Sequence, residues 1–181
     1  MTTNETARRR QTRPLLGLRQ RPGRLVLAVF RLPLVLYRRG WGWLLGRTFM
    51  LLVHAGRKTG QPHLMTAMVM RYDPTTREVV IVSGWGPDSD WVRNLRARPA
   101  IRVEVGRESY TPVHRFLSED ESVTVTQEVM NRHPYRVSLA TRILAWPDLH
   151  SETVLRDFVR THPFVALRPA DMSYFPGPPR V

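Results

Sequence analysis

The segment "HAGRKTGQPH", residues 54 to 63, places Arg57, Lys58 and Thr59 between Gly56 and Gly60. Glycines at both ends permit tight or left-handed backbone geometry. The turn then gathers two cations, a hydroxyl and exposed backbone N–H groups, which is the chemistry of an anion cradle. The same residues would also make a solvated hairpin tip with two charges. "AGRKTG" has the outline of a phosphate loop, but the earlier glycine is missing and no helix is expected after Thr59, so a Walker loop is excluded. "GWGPDSDW", residues 84 to 91, lacks the third glycine of a dinucleotide-binding fingerprint. The six histidines (His54, His63, His114, His133, His150 and His162) show no metal-ligand spacing, so no metal site is expected. No Ser/His/Asp set can be assembled from spacing.

Strands must position the turn. "FMLLVHA" (49–55), "LMTAMVMRY" (64–72), "EVVIVSG" (78–84), "AIRVEVG" (100–106) and "ESYTPVHRFL" (108–117) are rich in β-branched, methionine and aromatic residues and bounded by turn residues. "HPFVALRP" (162–169) reads as a last strand. "RYDPTTREV" and "VGRESY" read as hairpin connections, with Gly106 supplying any positive φ the second one needs. In "RVEV", Val103 and Val105 point inward and Arg102 and Glu104 outward. The sum is an antiparallel sheet that closes into a small barrel, an α+β fold once the helices are added. A helix within 87–99 has Ser89 or Asp88 as its N-cap, Trp91 and Leu95 on one face, and ends before Pro99. Another, from Ser118, opens with a Ser118–Glu121 capping box and stops at Pro134. "YRVSLATRILAW" forms a third helix.

At 181 residues the chain suits one domain, and without cysteine it carries neither disulfides nor thiolate chemistry, which favours a cytoplasmic location. The net charge of +13 points to anionic partners. Its distribution is uneven: residues 1–47 hold eleven arginines against Glu5 alone, leaving only +3 for the rest. A nucleic-acid-binding core is therefore not needed to explain the charge. Residues 1–24 read as a basic disordered arm, 25–47 as an apolar, arginine-studded amphipathic helix, 48–170 as the domain, and 171–181 as a proline-rich tail. Arg31 and Pro33 deny 25–47 the run of about 20 apolar residues that a membrane span needs. That segment suits the inner face of an anionic membrane, or packing on the domain or on a second subunit in a homodimer.

"GRKTGQP", a strand, then "VSGWGPDSDWVRNLRARP" and a further strand pair, in this order over roughly residues 35–140, resemble the deazaflavin-dependent nitroreductase family. That family is a branch of the split-barrel flavin and deazaflavin oxidoreductases. The resemblance implies a split β-barrel of the FMN-binding kind with flanking helices, and coenzyme F420 as cofactor; FMN, FAD, or a haem or tetrapyrrole are the alternatives within the fold, and a non-enzymatic module that binds an anionic membrane or other anion is the alternative outside enzymes. It implies that Arg57, Lys58 and Thr59 hold the cofactor phosphate, with Gln61, Pro62 and His63 leading into the strand that lines the ring. Met65, Thr66, Ala67 and Met68 would form the floor of the ring pocket. Ser83, Gly84 and Trp85 would meet its other side, and Trp91 and Asn94 the helix face. His133 and Tyr135 would donate a proton or orient the substrate. The partner implied is a small-molecule electron acceptor: a quinone, a nitroaromatic or another conjugated compound. Some family members carry lysine where this chain has Gly84, and several tyrosines where it has Tyr135 alone.

Overall fold

The computed structural model describes residues 32–144 and 146–170. The expected arm at 1–24, the first part of the segment 25–47 and the tail at 171–181 lie outside the described residues. A helix, α1 (32–38), and a 3-10 turn, Gly42–Leu45, precede the strands. In chain order there follow β1 Phe49–Ala55, β2 Pro62–Met68, β3 Arg71–Asp73, β4 Glu78–Val82, α2 Asp90–Ala97, β5 Ala100–Val105, β6 Glu108–Tyr110 and β7 Pro112–Phe116. The last elements are α3 Glu119–Arg132, α4 Pro134–Leu144, α5 Glu152–Thr161 and β8 Phe164–Pro169.

The strands form two antiparallel four-stranded sheets, β2-β1-β5-β6 and β3-β4-β8-β7. This is an α+β split barrel, and it corrects the expected strands in two places. The stretch 64–72 is not one strand but β2 and β3, in different sheets. Val69 N–H donates to the Thr48 carbonyl beside the first sheet at 2.9 Å, and Met70 N–H to Val80 in the second at 2.8 Å. The stretch 108–117 likewise divides into β6 and β7 around Thr111, with Pro112 opening an edge strand, where a missing N–H is tolerated.

Alternation along the strands divides the apolar residues among three layers. Met50, Leu52, Ala67, Val79, Ile81, Val103, Val105, Val165 and Leu167 fill the space between the sheets, with Leu95 of α2 closing one side. On the outer face of the second sheet, Val80, Phe164 and Ala166 meet Val125, Val129, Leu155, Phe158 and Val159 from α3 and α5. On the outer face of the first, Leu51 and Val53 are covered by Leu34, Tyr37 and Leu45, and the Tyr37 hydroxyl donates to the Phe49 carbonyl at 2.9 Å. The segment 32–47 therefore packs on the domain, although the expected single helix ends at 38 and gives way to the 3-10 turn. Gly42 is required there: a β-carbon would lie 2.2 Å from the Tyr37 ring.

The capping box of α3 forms as its sequence predicts, with Glu121 N–H donating to Ser118 Oγ and Ser118 N–H to Glu121 Oε2. Helix α5 was not expected. Its Leu155, Phe158 and Val159 are buried at the i, i+3, i+4 spacing of an amphipathic helix, a pattern present in "SETVLRDFVRT".

Candidate anion-binding turn and its supports

The turn between β1 and β2 is closed twice, by Gly56 N–H to the Gln61 carbonyl at 2.8 Å and by Gly60 N–H to the Gly56 carbonyl at 2.7 Å. Gly60 adopts φ 72°, a region costly for residues with a β-carbon. At Gly56 the demand is for space, since a β-carbon would come within 2.9 Å of His63 Nε2 and 3.1 Å of Thr59 Oγ1.

One side of the turn is fixed to α2. Asn94 Oδ1 accepts from Arg57 N–H at 3.0 Å and from Arg57 Nη1 at 3.1 Å. The same Nη1 donates to Asp90 Oδ1 at 2.9 Å, and this bond and its charge hold the Asp90 carboxyl below the usual carboxylate range. Asn94 is only 4% exposed, and its Nδ2 lies 3.1 Å from Nδ1 of the equally buried His54. The His54 ring stacks on His63 across the strand pair, with centroids 5.7 Å apart. Burial, then the neighbouring His63, lowers the pKa of His54.

The other side of the turn is unspent. Lys58 is exposed and has no hydrogen-bond or ion-pair partner among the described residues. Thr59 Oγ1 accepts from Gln61 N–H at 3.3 Å, which leaves its hydroxyl proton to donate. Neither the Lys58 nor the Thr59 amide finds an acceptor among the described residues. An ammonium, a hydroxyl and two amide N–H groups thus come together on a short, rigid loop, a donor set suited to a phosphate.

The loop after β4 is built the other way. Ser83 is fully buried; its N–H donates to the Pro163 carbonyl at 3.0 Å, its Oγ donates to the Gly86 carbonyl at 2.6 Å, and Ser89 Oγ lies 2.8 Å away. The Ser89 side chain therefore closes this loop and makes no capping bond to α2. A β-carbon on Gly84 would lie 3.0 Å from Leu144 Cδ1, and the Gly84 carbonyl accepts from Trp146 Nε1 at 3.3 Å. The end of α4 thus crowds Gly84 through the tip of the Leu144 side chain. Trp85 stays 49% exposed.

The other residues singled out in the sequence are dispersed. Gln61, Pro62 and His63 lie exposed at the start of β2, an edge strand. Met65, Thr66, Ala67 and Met68 do not share one floor: Met65 and Ala67 face the space between the sheets, whereas Met68 packs toward the helices. Trp91 packs on the inter-sheet core. His133 and Tyr135 meet edge to face, with centroids 5.9 Å apart, and Tyr135 is 63% exposed. His133 lines a cavity of about 250 Å³ with Arg47, Thr48, Arg71, Tyr72 and Arg132. That cavity adjoins the Phe49–Met68 end of the β1–β2 pair, seven paired positions from the turn, which is about 20 Å of extended strand. The residues missed in the sequence are His54 and Asp90. His54 occupies the inward phase of "FMLLVHA", set by Met50 and Leu52, and that phase marked it as buried beside the turn.

The family model described as "F420H(2)-dependent quinone reductase" matches residues 31–142. The chain belongs to the F420H(2)-dependent quinone reductase family. It is an F420-dependent oxidoreductase, and coenzyme F420 is its cofactor. Among solved structures, an F420-H2 dependent reductase is 18% identical, over 68% of this chain and 96% of that one, with a TM-score of 0.47. A conserved hypothetical protein from Mycobacterium tuberculosis is 19% identical over 71% and 76%, with a TM-score of 0.46. The haem storage protein HutZ from Vibrio cholerae is 14% identical over 75% and 91%, with a TM-score of 0.43.

Proposed function

We propose that the Gly56–Gly60 turn holds the F420 phosphate through Lys58, Thr59 and their amides, and that the enzyme reduces a quinone, a nitroaromatic or another conjugated acceptor. The inequality of the two adjacent cations carries this reading: Arg57 is committed to Asp90 and Asn94, whereas Lys58 has no partner among the described residues. An unpaired ammonium beside free N–H groups, on a turn that glycine keeps open, fits a phosphodiester. When bound, the reduced cofactor supplies the hydride. What remains for the chain is to bind, orient and exclude water, so the lack of cysteine is no obstacle. A quinone or nitro group also takes up a proton, a role we assign to His133 or Tyr135; Tyr135→Phe and His133→Gln, compared for kcat against KM, identify which.

The test is titration of F420 by absorbance or fluorescence. Lys58→Ala should weaken binding by about 1–3 kcal/mol, roughly 5- to 150-fold. Unchanged affinity, or tight FMN binding without F420 binding, would overturn the proposal. The exposed Trp41, Trp43 and Leu44, close in sequence to Arg38 and Arg39, support the reading of an anionic membrane surface for residues 32–47. Salt-sensitive association with anionic but not neutral vesicles would be the corresponding result.

A further inference from the structure

We propose that His54, acting through Asn94, is a positioning residue for the anion-binding turn, holding it when the imidazole is neutral and releasing it when the ring is protonated. The inference rests on the reading of that turn as the phosphate site. Arg57 N–H and Nη1 can only donate, so the Asn94 atom facing them at 3.0 and 3.1 Å is the oxygen. Asn94 then turns its NH₂ to His54, and at 3.1 Å His54 Nδ1 must accept. Only an imidazole with Nδ1 bare can do so; the neutral ring keeps its proton on Nε2. The orientation of an exposed loop is thus fixed by the protonation state of a buried histidine.

The surroundings favour the neutral ring. His63 of β2 stacks on it, and the Arg57 guanidinium lies on the far side of Asn94. Opposite in β5 is Ala100, while Arg102 pairs with Val53 on the other phase of the strand and is bonded to Glu104 at 3.0 Å. Arg98 lies beyond the turn, its Nη1 3.8 Å from where a β-carbon on Gly60 would be. The Asp90 carboxylate and the neighbouring Ala55 backbone act in the opposite sense, yet burial and His63 outweigh them and depress the pKa. Protonation would set an N–H against the Asn94 NH₂. To escape that clash of donors the amide must rotate, and its oxygen then leaves Arg57 N–H.

The test combines two measurements on the whole chain. In the free protein, long-range ¹H–¹⁵N spectra should show His54 as the Nε2–H tautomer. As the pH is lowered from about 8 to 5, across the ordinary histidine range, the Asn94 side-chain amide and the Arg57 amide should shift with the midpoint of His54 itself. F420 titrations over the same range then compare the wild type with His54→Asn, whose Oδ1 offers an acceptor near the place of Nδ1 at every pH. Titration of the cofactor itself affects both proteins equally. The wild type should lose about tenfold more affinity than the variant across the transition, the worth of one such bond. An Nδ1–H tautomer, Asn94 and Arg57 resonances that stay still while His54 titrates, or the same pH dependence in both proteins would overturn the proposal. If His54→Asn does not fold, the tautomer and the wild-type resonances decide. If F420 binds neither protein at any pH, the phosphate reading fails, while the spectra still decide whether His54 controls the turn.

Discussion

Two glycine-bearing loops flank α2 and are finished in opposite senses. At 56–60 the glycines draw the backbone tight and leave Lys58, Thr59 and two amides facing outward. At 83–86 the polar groups turn inward: the Ser83 hydroxyl is spent on Gly86, and Gly84 clears room for Leu144. One loop leaves its donors without a protein acceptor among the described residues; the other spends them within the fold, and its Gly84 carbonyl accepts from Trp146 Nε1. Loop composition alone does not separate these outcomes. The difference comes from what packs behind: a buried asparagine in the first case, the end of a helix in the second.

The largest break should come from Asn94→Ala, which leaves Arg57 N–H and His54 Nδ1 without their hydrogen-bond partner. It should lower unfolding stability by about 3 kcal/mol in a denaturant melt and also weaken F420 binding. Gly84→Lys comes next. It drives a side chain into Leu144 and should cost about 2 kcal/mol without raising affinity for F420; a gain in affinity at no cost would mean that the second loop, too, serves the phosphate. Ser83→Ala should cost about 1 kcal/mol and leave F420 affinity as it was, whereas a loss of affinity would restore Ser83 to the cofactor. Lys58→Ala is the converse, with weakened binding and a melting curve shifted by no more than about 0.5 kcal/mol.

Acid acts on both regions at once. His54 supports the first loop, and His162, whose Nδ1 donates to the Phe158 carbonyl, adjoins the Pro163 carbonyl that receives Ser83 N–H. Burial lowers the pKa of each below the ordinary histidine value of about 6.5. The unfolded chain therefore takes up these protons first, and stability should fall as the pH drops through 6.5 and level off only below the folded-state values. Denaturation midpoints between pH 8 and 5 check this, and His162→Phe should remove part of the slope.

Much of this was legible in the chain. "FMLLVHA" and "AIRVEV" gave strands close to those observed, and Ser118 with Glu121 announced a capping box that forms. The sheet changes were not legible, because residues 64–72 and 108–117 keep their β-forming character straight through the corners at Val69–Met70 and Thr111. Helix α5 was hidden by its charges: Arg156 and Arg160 look like loop residues until paired with Glu119, Glu152 and Asp157. At the site, the cations could be read but not their inequality. That is set by Asn94, 37 residues from Arg57 and 40 from His54, a separation at which spacing carries no information.

The corner between β2 and β3 has a mechanical consequence. Val69 and Met70 are adjacent, yet the N–H of one is locked beside the first sheet and that of the other into the second. No residue between them is left to flex, so the two sheets cannot shear along this seam without breaking one of these bonds. Any widening needed to admit a flat ring must come from the loops and helices around the barrel, with this corner as the fixed side of the opening.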